Sequence, residues 1–172
     1  GIKFHPLPTQ AIKTIIRNHL ESEGSETQPE EIELRSRRSM GQVVCALGTD
    51  LLEILNEREE LIRLVSLVSF KRMDQVFPWT KAKSKQTEHI QLILDELTRI
   101  LRDTVLIKID PETSAVINTD LTKQLKKLSL QKSTPALLKM FETVQVTKAA
   151  IKLNANSQLA LENMLISFCE AA

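Results

Sequence analysis

The sequence predicts an all-α protein, and three observations carry that expectation. Apolar residues recur at three- and four-residue spacing along most of the chain, the period of a helix with one covered face. No segment combines strict alternation with the β-branched richness of paired strands. Only 4 of the 172 residues are glycine, and hairpin turns and phosphate-binding loops would consume more. With 42% hydrophobic residues, a chain of this length can bury one good core or two small ones. Helix length changes near Leu55, so the expected organisation is a small three-helix unit over 1–55 and a bundle of five or six helices over 56–172.

Pro6 and Pro8 hold the residues before them extended, and a helix follows from about Pro8 to Glu23 with Ala11, Ile12, Ile15, Ile16 and Leu20 on one face. Gly24 ends it as a C-terminal cap. Thr27, Pro29 and Glu30 read as a capping box opening a second helix, which carries Ile32 and Leu34 before the basic run Arg35, Arg37, Arg38. Gly41 breaks that helix. A third follows with Val43, Val44, Ala46, Leu47, Leu51, Leu52, Ile54 and Leu55, too broad a stripe for one exposed face.

Longer helices are expected after Asn56. The first runs from Arg58 to Phe70, with Leu61, Leu64, Val65 and Val68 at helical spacing. A shorter one from Met73 to Lys85 is disturbed by Pro78, and Thr87 to Lys108 is the longest. In that helix Ile90, Leu94, Leu97, Leu101 and Val105 form one stripe. Asp95, Arg99 and Asp103 stand at i, i+4 on another side, expected as a water-facing ladder worth about a few tenths of a kcal/mol per pair. A loop opens at Asp110-Pro111-Glu112, and helices follow over Asp120 to Leu128, Pro135 to Leu153 and Asn156 to Glu170. Asn154 and Asn156 suit the last corner because short amides bond the local backbone, tolerate left-handed dihedrals and cap the next helix.

A formal net charge of +1 with 26% charged residues describes an ionic but balanced surface, which argues against tight, non-specific tracking of phosphates. Aromatic residues make up 3%, with no tyrosine and Trp79 the lone indole, leaving few platforms for stacking bases. Cys45 and Cys169 match no metal or CxxC spacing and read as reduced, helix-borne thiols of a cytosolic protein. The apolar run from Leu61 to Phe70 is too short to span a bilayer, which takes about 20 residues. The chain opens at Gly1 directly into a Pro-punctuated segment, and a preceding amino-terminal part is expected.

Candidate chemistry is sparse. His5, His19 and His89 are scattered, with no pair at i, i+4 or HExxH spacing. Glu30-Glu31 and Glu59-Glu60 are adjacent, so on a helix they diverge by about 100° and cannot share a proton as an acid and base pair would. The sequence holds no GxSxG, GxxxxGK[ST] or GxGxxG phrase. No catalytic residue, metal ligand or cofactor-binding residue is therefore expected in this chain, and no cofactor. Lys81, Lys83 and Lys85 alternate near a helix end, where cations offset the helix dipole. Lys123, Lys126 and Lys127 flank Leu125 and Leu128 on a short helix; a solvated face is the first reading and a weak DNA-backbone contact the second.

Four phrases taken in order carry a family resemblance: Phe4-His5-Pro6-Leu7, the small-residue segment Gly41-Gln42-Val43-Val44-Cys45-Ala46-Leu47, Arg102-Asp103 followed by apolar residues, and Asn154 to Glu162 as Asn-x-Asn-x-x-Leu-x-Leu-Glu. Over nearly its whole length the chain resembles the lid and collar domains of bacterial DNA polymerase III clamp-loader subunits, delta-prime most of all. The resemblance implies an AAA+ lid-type domain over 1–55 and a helical oligomerisation collar over 56–172. It implies a non-catalytic scaffold, or stator, of the bacterial cytoplasm that packs against gamma/tau and delta subunits in a five-membered collar ring, so that the sliding clamp is loaded during DNA replication. The full protein would be a subunit of the DNA polymerase III holoenzyme, a nucleotidyltransferase, touching sliding clamp and primed DNA only indirectly.

ATP-hydrolysing relatives place an arginine in the lid segment to sense the γ-phosphate. The corresponding Gly41, Cys45, Ala46 and Leu47 stretch contains no cation, and a thiol replaces neither a guanidinium's charge nor its forked donors. That suits delta-prime more than the motor. The family's zinc module and arginine finger belong to the preceding domain and are not assigned here, while Arg102 and Asp103 are carried over as structural residues. Apolar residues of the collar surplus to its core would hold the ring, with Leu137, Leu138 and Phe141, or Leu161, Leu165 and Phe168, as the candidates. Three other readings stand beside this one: lid and collar of gamma/tau itself, a helix-turn-helix over Arg35 to Leu55, and a helical adaptor without a replication role. The apolar Val43 to Leu47 stretch weakens the second, because base-reading side chains should point outward there.

Overall fold

The computed structural model describes residues 8–22, 29, 32, 33, 36, 51–85 and 87–171. The Phe4-His5-Pro6-Leu7 phrase, most of the second and third expected helices, the Thr27 capping box and the Gly41 to Leu47 segment lie outside the described residues. Every regular element among the described residues is helical, so the protein is all-α. The chain divides into two compact units, Gly1–Ile54 and Leu55–Ala172.

In the first unit, α1 spans Thr9–Ser22. The Pro8 carbonyl accepts from the amides of Ala11 and Ile12 at 3.0 and 3.2 Å, so the fixed proline backbone leads directly into the first turn. Ile12 and Ile16, one turn apart, are fully buried and cluster with Ile32. Lys13 pairs with Glu33 beside them.

The second unit begins within α2, Leu51–Leu67. The break expected at Asn56 is absent. Glu57, Arg58, Glu59, Glu60 and Leu61 are good helix formers, and burial of Arg58 and Leu61 holds this stretch in the helix. Ser69 is extended, a single 3-10 turn covers Phe70–Arg72, and α3 follows over Met73–Lys83. Pro78 lies inside α3 without ending it. An interior proline costs about 3 kcal/mol, and burial of Val76, Trp79 and Thr80 around it offsets that.

α4 spans Thr87–Ile109, α5 Thr122–Gln131 after a 3-10 turn at Thr119–Leu121, α6 Thr134–Lys152 and α7 Ser157–Ala171. α4 packs along α5 and α6, α6 along α7, and α7 against α3. One core runs through this unit, with Leu94, Leu97 and Leu101 of α4, Leu125 of α5, Leu137, Met140 and Val144 of α6 and Leu161, Leu165 and Phe168 of α7. The seam between α4 and α6 is also polar: Gln145 Nε2 donates to Thr98 Oγ1 at 3.1 Å, and Lys148 pairs with Asp95. No helix of the described residues is long and apolar enough to cross a membrane.

The ends of α6 follow from their residues. Ser133 caps its start, its Oγ accepting from the Ala136 amide at 3.2 Å, and Pro135 sits in the first turn. At the other end Asn154 is left-handed, with φ of 62°. The Ala155 amide donates to Ala150 and the Asn154 amide to Ile151, both at 3.0 Å, a Schellman closure. Asn156 Oδ1 then accepts from the Leu159 amide at 3.0 Å, capping α7.

Candidate assembly surface

Two features of the second unit bear on function: a buried polar knot that fixes one end of the bundle, and the water-facing sides of α6 and α7. The knot centres on Asp103, expected on a solvated ladder and found fully buried. Its Oδ2 accepts from the amides of Ile117 and Asn118 at 3.0 and 2.8 Å and from Asn118 Nδ2 at 2.9 Å, while its Oδ1 accepts from Arg102 at 2.8 Å. Helical spacing marks which residues share a stripe but not what covers it, and here the loop after α4 does. The ladder itself is absent. Arg99 pairs with Glu96 at 3.0 Å, and Asp95 reaches across to Lys148.

Asn118 passes the connection to α2. Arg58, fully buried, donates through Nη2 to Asn118 Oδ1 at 2.9 Å and Asp120 Oδ1 at 2.8 Å, with its Nε 3.3 Å from Glu96 Oε1. A buried charge survives only with partners, and removing one partner strands the rest. Nothing in the sequence pattern singles out Glu96 or Asn118. Arg58 does share the stripe of Leu61, Val65 and Val68, and a cation on an apolar stripe is the signal that could have found it.

Lys83 of α3 lies 2.8 Å from Glu57 Oε1 and 3.0 Å from Glu60 Oε2 of α2. Burial alone would lower its pKa, but the hydrogen bonds and charges of the two carboxylates outweigh burial and raise it above 10.5. Burial lowers Lys132 and raises the Cys169 thiol, which sits 3.4 Å from Met73 Sδ. Cys45 lies outside the described residues, as does the Gly41, Cys45, Ala46 and Leu47 segment expected to sense nucleotide poorly. Among the described residues no group of three His, Cys, Asp or Glu side chains could hold a metal ion.

The structure divides the six expected interface residues. Leu137, Leu161, Leu165 and Phe168 are buried in this chain's own core, so no neighbour can touch them; sequence periodicity gave both faces of these apolar helices equal standing. Leu138 is 47% exposed and Phe141 half-buried. What the sequence reading missed is the rest of the outward stripe. At 100° per residue, Leu138, Glu142, Val146 and Ala149 share one side of α6, all exposed, with Val146 at 69%; Leu153, the residue that closes the helix, is 83% exposed. On α7, Leu159 at 59% and half-buried Ile166 face away from the core beside Asn163 and Glu170. α6 thus carries apolar residues on its covered side and on most of this open stripe, and α7 adds exposed Leu159 among polar neighbours, whereas a helix of a self-sufficient domain is polar outside. Lys123, Lys126 and Lys127 stand exposed on α5, Lys126 3.7 Å from Glu112.

No curated protein matches the chain. The family model described as DNA polymerase III, delta subunit, C terminal matches residues 52–170. That span takes in α2 through α7 with the knot, the core and both outward faces, and on it the chain belongs to the carboxy-terminal family of the DNA polymerase III delta subunit, a component of the clamp loader.

Proposed function

We propose that this chain is the delta-prime-like, non-motor member of its clamp loader, and that its helical bundle is the collar sector packing between gamma/tau and delta subunits in a five-membered ring. The observation that carries the reading is the apolar outward stripe on α6, with exposed Leu159 on α7, in a bundle whose core is already complete. Exposed apolar surface of this extent marks a contact to be covered. Leu138 and Val146 of α6, Leu153 at its C-terminal cap and Leu159 of α7 are the adhesive; Leu137, Leu161, Leu165 and Phe168 act indirectly by holding the helices that present them.

A stable neighbour contact should bury about 1,200–2,000 Å² in total, more than one stripe offers, so both α6 and α7 faces take part. The buried knot around Asp103 and Arg58 keeps α2, α4 and the loop before α5 fixed while neighbours pull on the bundle. With no cation in the Gly41 to Leu47 stretch, the lid would follow its neighbours' nucleotide state without reading it. Delta itself, whose carboxy-terminal family the chain matches, and the gamma/tau motor are the competing assignments, and a Walker lysine in any sequence that precedes this chain would decide for the motor.

The test is reconstitution. Full chain mixed with gamma/tau and delta subunits should co-elute as one assembly, with nucleotide hydrolysis requiring gamma/tau and unaffected by changes within Gly41 to Leu47. Failure to co-elute, or turnover by this chain unaided, would contradict the proposal.

A further inference from the structure

The shared end of α4 and α5 carries a second surface, separate from the faces of α6 and α7. Lys108 Nζ donates to the Ser129 carbonyl at 2.6 Å, tying the last turn of α4 to the last turn of α5. The residues next along each helix, Ile109 and Leu130, are 70% and 86% exposed. On α5, Lys123, Lys126, Lys127 and Leu130 fall within an arc of about 100°, and the helix itself contains no acidic residue. Lys126 is met by Glu112 at 3.7 Å with both side chains in water, and an exposed pair of that kind is exchanged at little cost.

Cations attract both phosphates and carboxylates, so the apolar members decide. A nucleic-acid backbone offers Leu130 and Ile109 no apolar cover, and α5 has no aromatic residue on which a base could stack. A protein segment satisfies both halves of the patch, because burying the two apolar side chains is favourable in itself. We infer that the exposed face of α5, with Ile109 at the end of α4, is a docking surface for a short acidic protein segment carrying an apolar side chain, its carboxylates on Lys123, Lys126 and Lys127 and its apolar group on Leu130 and Ile109. The inference does not rest on the collar assignment. The patch is small, so binding is transient and salt-sensitive.

The experiment is fluorescence anisotropy of the full chain with a labelled peptide of Glu-Glu-Leu repeats, at low and at physiological salt, beside an oligothymidylate of equal length. All the residues varied are exposed, and circular dichroism confirms that each variant is folded. Charge reversal as K123E/K126E/K127E is expected to weaken the peptide about tenfold or more, and Leu130→Ser about threefold or more. The oligothymidylate should bind more weakly and ignore Leu130→Ser. Peptide affinity unchanged by either variant overturns the inference, and tighter binding of the oligothymidylate reassigns the lysines to a phosphate backbone.

Discussion

A carboxylate sealed from water needs donors, and Asp103 collects four, from the Ile117 amide, the Asn118 amide, Asn118 Nδ2 and Arg102. Asp103→Ala strands these groups and loosens Arg58 through Asn118, so urea unfolding should show a loss of about 3 kcal/mol or more. At this scale the sequence was least legible. The pattern correctly separated the Leu94, Leu97 and Leu101 stripe, but the loop residues that seal Asp103 lie 14 and 15 positions further on, beyond the end of its helix, and no helical spacing announces them. Proton linkage acts on single residues too. Cys169, raised by burial, keeps its proton in the fold after the unfolded chain loses it near the ordinary 9.0, so stability falls as pH rises through this range. Lys83, raised by its two carboxylates against burial, contributes stability below 10.5 that is lost above it, whereas Lys132, lowered by burial, works the other way. Thermal melts between about pH 8 and pH 10 should therefore show a wild-type melting temperature that falls relative to that of Cys169→Ala, which lacks the thiol's proton linkage.

Helices are where the sequence spoke most clearly, because caps are local. The corner sequence marks the pair Asn154 and Asn156 as residues that tolerate a left-handed dihedral and cap a helix, and the structure gives the first role to Asn154, with φ of 62°, and the second to Asn156, whose Oδ1 accepts from the Leu159 amide. Asn156→Ala should cost about 1 kcal/mol, seen as a fall in melting temperature of about 2–4 °C; Asn154→Gly should be tolerated, since glycine accepts the same dihedral freely. Boundaries without a cap were less legible. α2 continues through Asn56 and α3 through Pro78, and in both cases buried neighbours override a local preference that the sequence does state.

For the bundle as a whole, the hard distinction lay between apolar residues that make the core and apolar residues left over. Leu137 and Leu138 are adjacent and chemically identical, yet one is fully buried and the other half open; only the positions of α4 and α7 around α6 separate them. The two kinds predict opposite phenotypes. Phe168→Ala should destabilise the chain by about 3–5 kcal/mol. Leu138→Glu with Val146→Glu should change stability by no more than about 0.5 kcal/mol per site, and its effect should appear in assembly alone. The most direct measurement is the affinity of that double variant for gamma/tau and delta subunits, taken beside its unfolding curve. The account predicts a wild-type curve with assembly weakened at least about a hundredfold, roughly 2.7 kcal/mol; undiminished affinity in the folded variant would contradict it.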